Sequence, residues 1–326
     1  MDRASEPSTR VFGVGALTLT ALVGAALLGA VFAGDGSDVG GTLPVGGAAV
    51  GLLSATLVLV ALGRLPAPRL GRSGSVLAVA MITFTVWTGA TMAWSIVPDR
   101  SWDSFNRTIA YAAFLGLGLA LAAAAGRVAA RLAASLLALV IGAALTWALL
   151  TKAVPGLDPE GDRVARLREP VGYWNALALL ADMGLVLGLW LGTDRGRRSS
   201  VRVAGALLVY VATVSLMLTL SRAGANIAVV VLALWVVLSE RRIESGLLLL
   251  AASGPGILVG MWAFTRPALT EDVAERSDRV ADGIVFAVLA LVGAALVAAL
   301  AVLAARRELR AGIRRRLGRA LAVVGA

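Results

Sequence analysis

The composition of this chain excludes a soluble globular protein. Its 326 residues are 59% hydrophobic and only 15% charged, so it carries more apolar surface than one soluble core can bury. It contains no cysteine and no histidine, which excludes disulfides, thiolate metal sites and histidine chemistry. The net charge of +10 is typical of nucleic-acid-binding proteins, but the distribution of the arginines described below argues against that function.

Ten apolar segments are long enough to cross about 30 Å of hydrocarbon, which takes roughly 20 residues. We therefore predict an all-α, polytopic transmembrane bundle that forms a single domain over residues 1–326. The predicted spans, in chain order, are 11–33, 43–62, 75–95, 107–126, 132–154, 171–191, 203–220, 223–239, 246–264 and 284–305.

The boundary between the seventh and eighth spans lies within a nearly continuous apolar run, 203–239, that only Arg222 interrupts. As one helix this run would be about 55 Å long, which overshoots one bilayer and nearly fills two. We therefore predict a tight turn at 221–224, with Arg222 at the membrane surface and Gly224 providing backbone freedom.

The arginine distribution predicts the orientation of the spans. When the spans alternate, twenty of the thirty basic residues fall on the side of the N-terminus. Since Lys and Arg are enriched in cytoplasmic loops, we predict a cytoplasmic N-terminus and a multi-pass protein of the cytoplasmic membrane. The basic charge is then a topology signal with affinity for anionic lipids, and we expect no nucleic-acid partner.

The outer segment before the sixth span carries several arginines above a predicted helix start. Arg166 and Arg168 precede Pro170, and Asn175 lies just inside the span, where a side-chain amide needs a partner. Guanidinium groups and a helix N-terminus both favour phosphate, so the segment is a candidate anion site. A solvated loop with incidental arginines is the alternative.

The turn before the eighth span is a second candidate. Burying the isolated Arg222 would cost about 2.5 to 3.5 kcal/mol on insertion scales, which indicates a use for this side chain. Asn226 follows one helical turn later, on the same face, and can hydrogen-bond a ligand that Arg222 binds. A purely structural turn is the alternative.

Two further polar features have structural explanations available. Asp182 is the only acidic residue within the predicted spans, and it is either a hydrogen-bonded packing residue or part of a substrate path. Residues 270–283 are predicted to form a short amphipathic helix with the i,i+4 pairs Asp272/Arg276 and Glu275/Arg279, which is typical of a solvated face.

The C-terminal residues 320–326 are apolar and follow an arginine-rich stretch, as the earlier spans do. We interpret them as the start of an eleventh span in a truncated chain. A frayed apolar tail is the alternative.

Three segments carry a family resemblance. The sequence TLSRAG at 219–224, which opens an apolar helix, resembles the Ser-Arg signature of the bacterial O-antigen ligase and O-antigen polymerase superfamily of membrane glycosyltransferases. The segment 166–177 is similar to the family's helix that begins with an Asn, and 94–111 resembles actinobacterial members. The likeness covers the chain as the N-terminal membrane part of that family.

The resemblance implies a GT-C-like helical fold in the cell envelope, acting in polysaccharide biosynthesis. Such a protein acts on an undecaprenyl-pyrophosphate-linked glycan at the outer side of the cytoplasmic membrane. It polymerises this glycan or transfers it to an acceptor glycan or lipid, with no metal or other cofactor. Arg222, with Arg166 or Arg168, would hold the pyrophosphate. The family's outer loop carries a His, and this chain has none. No catalytic residue is assigned, and we expect the chain as given to be inactive alone.

Two other functions stay open from the sequence. A transporter or flippase of lipid-linked or small substrates is one, although a single intramembrane acid and no visible inverted repeat argue against it. A non-catalytic membrane scaffold is the other.

Overall fold

The computed structural model describes residues 8–32, 39–68, 70–157, 165–272 and 274–324. Their regular structure is helical throughout. The helices are α1 (Ser8–Phe32), α2 (Val39–Ala61), α3 (Arg72–Ala90), α4 (Pro98–Ala153), α5 (Trp174–Thr193), α6 (Ser199–Leu218), α7 (Arg222–Leu238), α8 (Arg242–Phe264), α9 (Pro267–Thr270) and α10 (Arg276–Val324).

Most of these helices are long and apolar enough to cross a membrane. Within the described residues eight stretches meet that requirement, and α4 supplies two of them. Two further apolar stretches, Leu17–Phe32 and Arg222–Leu238, are shorter, and both correspond to predicted spans. The chain is therefore an all-helical, multi-pass membrane protein.

The structure differs from the prediction along α4. Two spans, 107–126 and 132–154, were expected on either side of a short link; both apolar stretches are present, as Pro98–Ala123 and Ala130–Ala153, but they lie in one continuous 56-residue helix without a link. The sequence around the expected link, 121–134, is rich in Ala and contains no Pro. Because alanine has the highest helix propensity and nothing there interrupts the backbone hydrogen bonds, the helix continues.

The predicted amphipathic helix 270–283 is also not formed as expected. Residue 270 ends the short helix α9, and α10 begins only at Arg276. Asp272 therefore precedes the helix, and its carboxylate accepts a hydrogen bond of 2.9 Å from the backbone N–H of Ala165 instead of facing Arg276 along a helix. The helix α10 continues to Val324, so residues 320–324 extend an existing helix; 325 and 326 lie outside the described residues.

The chain divides into two compact units, 1–140 with 170–172, and 141–169 with 173–326. In the first unit a small apolar cluster forms where Leu19 of α1 meets Leu117 and Leu121 of α4. The helix α3 has no buried residue, and its exposed apolar side chains, such as Phe84, are suited to lipid.

In the second unit, α6 is the central helix and packs against α5, α8 and α10. The Tyr210 hydroxyl donates a hydrogen bond of 2.8 Å to the carbonyl oxygen of Ala290 in α10. The Thr213 and Ser253 hydroxyls are 2.9 Å apart, which links α6 to α8. Interhelical hydrogen bonds of this kind stabilise helix pairs in lipid, where no hydrophobic force drives association.

The helices α5 and α6 cross at a close backbone contact. A Cβ atom added at Gly205 would lie 2.5 Å from the backbone nitrogen of Gly192 and 2.7 Å from the carbonyl oxygen of Gly188. The two backbones therefore approach to a distance that only glycine permits. This crossing lies where α5 ends and α6 begins, and the candidate site lies at the opposite end of the same two helices, where α5 begins and α6 ends.

Candidate anion-binding site

The candidate site lies within the second unit, at the end where α5 and α7 begin and α6 ends, which we call the arginine end. The apolar run 203–239 is divided there: α6 ends at Leu218 and α7 begins at Arg222. Leu220 in the connecting turn has a φ of 53°, a left-handed conformation that costs a non-glycine residue about 1 to 2 kcal/mol. The turn was expected at 221–224 and is found at 219–221.

Ser221 explains why α7 begins where it does. Its backbone is extended, and its hydroxyl oxygen accepts a hydrogen bond of 3.0 Å from the backbone N–H of Gly224. This is the N-cap arrangement, in which a serine satisfies one of the unpaired N–H groups of a new helix. Arg222 is consequently the first helical residue of α7.

The loop before α5 is attached to this turn by the backbone. The N–H of Leu167 donates a hydrogen bond of 2.9 Å to the carbonyl oxygen of Leu218, the last residue of α6. Leu167 is itself buried. Because Arg166 and Arg168 flank it, this single contact brings both predicted arginines to the end of α6.

The two loop arginines have different surroundings. Arg166 is exposed, and its guanidinium carbon lies 4.9 Å from the centroid of the Trp174 ring. Stacking on an aromatic face stabilises a guanidinium group while its edge stays accessible. Arg168 is buried and engaged in contacts, so it contributes positive charge beneath the surface.

A chain of side-chain hydrogen bonds connects the start of α5 to the start of α7. The Ser221 hydroxyl donates to Oδ1 of Asn175 at 2.8 Å. Nδ2 of Asn175 in turn donates to the Tyr173 hydroxyl oxygen at 2.6 Å. Because the Tyr173 hydroxyl oxygen accepts the last of these bonds, its own proton remains for donation, and no described residue accepts it.

Arg222 and Asn226 are both exposed on α7. Their spacing of four residues places them on one helix face. The Arg222 side chain makes no hydrogen bond or ion pair with the described residues. A guanidinium at a helix N-terminus that no described residue pairs is suited to an anion, because its five donors and the helix dipole both favour negative charge.

A buried lysine holds the loop that bears Arg166 and Arg168 through hydrogen bonds to the backbone. Lys152, near the end of α4, is 4% exposed, and its Nζ donates hydrogen bonds to the carbonyl oxygens of Leu269 at 2.6 Å and of Ala165 at 3.3 Å. With the bond from Ala165 N–H to Asp272, residue 165 is held at both backbone groups. This role of Lys152 was not predicted, and its only signal in the sequence is a lysine at the end of an apolar span.

Asp182 lies deeper in α5, seven residues and about 10 Å from Asn175 along the helix. It is 2% exposed, and among the described residues neither of its carboxylate oxygens has a hydrogen-bond partner. The Ser215 hydroxyl in α6 is also buried without a partner there. Since Gly184 lies opposite Ala212 across the crossing, Asp182 and Ser215 are at a similar depth.

The site therefore unites Arg166, Asn175 and the turn that bears Arg222, and it adds Tyr173 and Ser221, which the sequence analysis had not identified as site residues. A tyrosine two residues before Asn175 and a serine directly before Arg222 were the available signals.

Within the described residues no group of three or more Asp, Glu, His or Cys is arranged to hold a metal ion. Comparison with protein-family models, with curated proteins and with solved structures finds no match to this chain.

Proposed function

We propose that this protein binds an undecaprenyl-pyrophosphate-linked glycan at the arginine end and acts in its transfer or polymerisation, as a GT-C-like membrane glycosyltransferase. The observation that carries the proposal is the junction of two arginine-bearing segments by the Ser221–Asn175 and Leu167–Leu218 hydrogen bonds. This junction supplies positive charge, a helix N-terminus and an outward hydroxyl in one place.

The chemistry of this junction favours a pyrophosphate over a carboxylate ligand. A pyrophosphate has many acceptor oxygens and carries more than one negative charge, so it can use guanidinium groups from two directions. Arg222 would approach from α7 and Arg166 from the loop, while Tyr173 donates to a bridging or terminal oxygen. The buried Arg168 adds charge without needing to contact the ligand.

The location of the site supports a lipid-linked substrate. It lies at the ends of apolar helices, where a phosphate group meets the membrane surface and a prenyl chain enters hydrocarbon. In the orientation predicted by the arginine distribution, this end faces the outer side of the cytoplasmic membrane. The acceptor would be a glycan or lipid on that side, and its activating base is not assigned to any residue of this chain.

The proposal is tested by ligand binding. The full chain in nanodiscs is titrated with undecaprenyl pyrophosphate, beside undecaprenol as the uncharged control. We expect the pyrophosphate to bind and Arg222→Gln to weaken it at least about tenfold, because one charge-assisted contact is worth roughly 1.5 to 3 kcal/mol. Arg276→Gln removes an exposed arginine of α10 outside the site and serves as the matched control.

Two outcomes would contradict the proposal. Equal binding of undecaprenol and its pyrophosphate would show that no anion is recognised. Equal weakening by Arg222→Gln and Arg276→Gln would show that only net charge matters. An in vivo glycan phenotype that Arg222→Ala leaves unchanged would favour a non-catalytic scaffold.

A transporter or flippase is the second candidate, because Asp182 is an acid without a described partner inside the bundle. Such acids in membrane proteins mark ion or proton paths. Its test is proton-coupled substrate flux in liposomes. Flux that Asp182→Asn abolishes would favour transport, whereas pyrophosphate binding that is unchanged in Asp182→Asn, without measurable flux, would favour the glycosyltransferase.

A further inference from the structure

A second site lies in the same unit, at the end where α5 finishes and α6 and α8 begin. A cavity of about 320 Å³ opens there between α5, α6, α8 and α10. Its polar members, Thr193, Arg202 and Glu244, lie where those helices begin or end, and the remainder of its wall is apolar. The apolar wall includes Leu247, Leu248, Ala251, Leu300, Ala301 and Ala304.

The cavity opens onto the surface that faces lipid. Leu247 of α8 and Leu300 of α10 are 62% and 40% exposed, and both line it. Exposed leucines on membrane-spanning helices contact hydrocarbon. The apolar part of the cavity is therefore continuous with the bilayer interior, and the occupant that fits it is a hydrocarbon chain that enters from the side.

The charge at the polar end of the cavity is net positive. Arg202 Nε donates a hydrogen bond of 3.2 Å to the carbonyl oxygen of Gly192, and Arg241 Nη1 donates one of 2.6 Å to that of Thr193. Glu244 forms an ion pair with Arg195. Arg241 Nε also lies 3.9 Å from the Glu244 carboxylate, and Arg202 lines the same cavity, so three arginines and one glutamate lie at this end.

We propose that this cavity binds one anionic phospholipid of the bilayer, with an acyl chain along the apolar wall and the phosphate beside Arg202 and Arg241. Basic pockets between transmembrane helices bind anionic head groups in this way, and each nearby basic residue adds to the preference for negative lipid. The two arginines also bind the last carbonyl groups of α5, so a phosphate there would reinforce the end of the α5–α6 hairpin. The proposal is independent of the proposed glycan function.

The test uses the full chain in detergent, with native mass spectrometry to count bound lipid and a thermal shift as the second readout. Phosphatidylglycerol and phosphatidylcholine with identical acyl chains are the probes. We expect phosphatidylglycerol to bind about thirtyfold more tightly, as two net positive charges at a membrane surface imply, and to raise the melting temperature.

Two variants separate the cavity from general surface charge. Ala301→Trp fills the cavity, while Leu303→Trp places the same side chain on the same helix, outside the cavity lining and 51% exposed. We expect Ala301→Trp to lose the preference for phosphatidylglycerol and Leu303→Trp to keep it, with undecaprenyl pyrophosphate binding unchanged in both.

If Ala301→Trp cannot be purified, a second pair of variants answers the same question. Arg202→Gln changes a residue that lines the cavity, and Arg198→Gln changes an exposed arginine that does not, so only Arg202→Gln should lose the preference for phosphatidylglycerol. Equal affinity for the two lipids in the wild-type protein would overturn the proposal. A preference that both members of either variant pair keep would overturn it as well.

Discussion

The Ser221 hydroxyl donates a hydrogen bond of 2.8 Å to the Asn175 amide oxygen, which joins residues 46 positions apart. Ser221 simultaneously caps α7 through Gly224 N–H. One side chain therefore determines both where α7 begins and how the start of α5 is held against it. The position of Arg222 depends on both contacts, which makes Ser221 the structural centre of the site.

Ser221→Ala should lower the free energy of unfolding by about 1 to 2 kcal/mol, because it removes a helix N-cap and an interhelical hydrogen bond. Ser221→Thr keeps the hydroxyl and should lose much less. Thermal unfolding in detergent measures the difference. An alanine variant as stable as the wild type would show that the hydroxyl contributes nothing to holding the turn.

Tyr173→Phe should weaken undecaprenyl pyrophosphate binding by about three- to tenfold, since one hydrogen bond to the ligand is worth roughly 1 kcal/mol. The side chain is 46% exposed, so its ring packing and the melting temperature should change little. Tyr111→Phe, at a tyrosine of the first unit that is 61% exposed, is the control. Binding that is unaltered in Tyr173→Phe would remove this hydroxyl from the site.

Lys152→Met should destabilise the protein by about 1.5 to 3 kcal/mol, because it removes charge-assisted hydrogen bonds to the carbonyl oxygens of Leu269 and Ala165. It should also weaken pyrophosphate binding, since Ala165 directly precedes Arg166. Asp272→Asn keeps an acceptor for Ala165 N–H and should change stability by less than about 0.5 kcal/mol. If Lys152→Met were as stable as the wild type, the hydrogen bonds of Lys152 to Leu269 and Ala165 would not stabilise this loop.

Gly205→Leu should prevent α5 and α6 from packing, since even a Cβ atom there would lie 2.5 Å from Gly192 N. The expected loss is at least about 3 kcal/mol, the upper end for overpacked cores. Gly246 in α8 has open space around it, so Gly246→Ala should be neutral or stabilising by about 0.5 to 1 kcal/mol. Both are compared by the yield of folded, monodisperse protein and by melting temperature.

Parts of the site followed from local sequence, and others did not. Asn175 and Arg222 stood out because a polar group among apolar neighbours needs a partner. Tyr173 did not, since an aromatic residue near a membrane surface already has an ordinary explanation. The roles of Lys152 and Asp272 were not predicted, because their partners are backbone groups of distant segments, which no spacing in the sequence reveals.

The continuous helix α4 is a different case, because both expected apolar stretches are present, as Pro98–Ala123 and Ala130–Ala153, but no break separates them. The expectation of a link rested on the length of helix that one bilayer accommodates, which is an argument about the membrane. The helix itself depends on backbone hydrogen bonds, and an alanine-rich segment without proline keeps them unbroken. For this segment, local propensity was the better guide to secondary structure.

The amino-acid sequence alone determined that this protein is a helical, multi-pass membrane protein and that the run 203–239 is two helices, because hydrocarbon demands long apolar segments with satisfied backbones. Only the tertiary structure decided which polar groups meet. The glycine contact between α5 and α6, the bond from Leu167 to Leu218 and the bond from Ser221 to Asn175 each join separate segments. Such contacts depend on helix packing, and packing is a property of the folded chain as a whole.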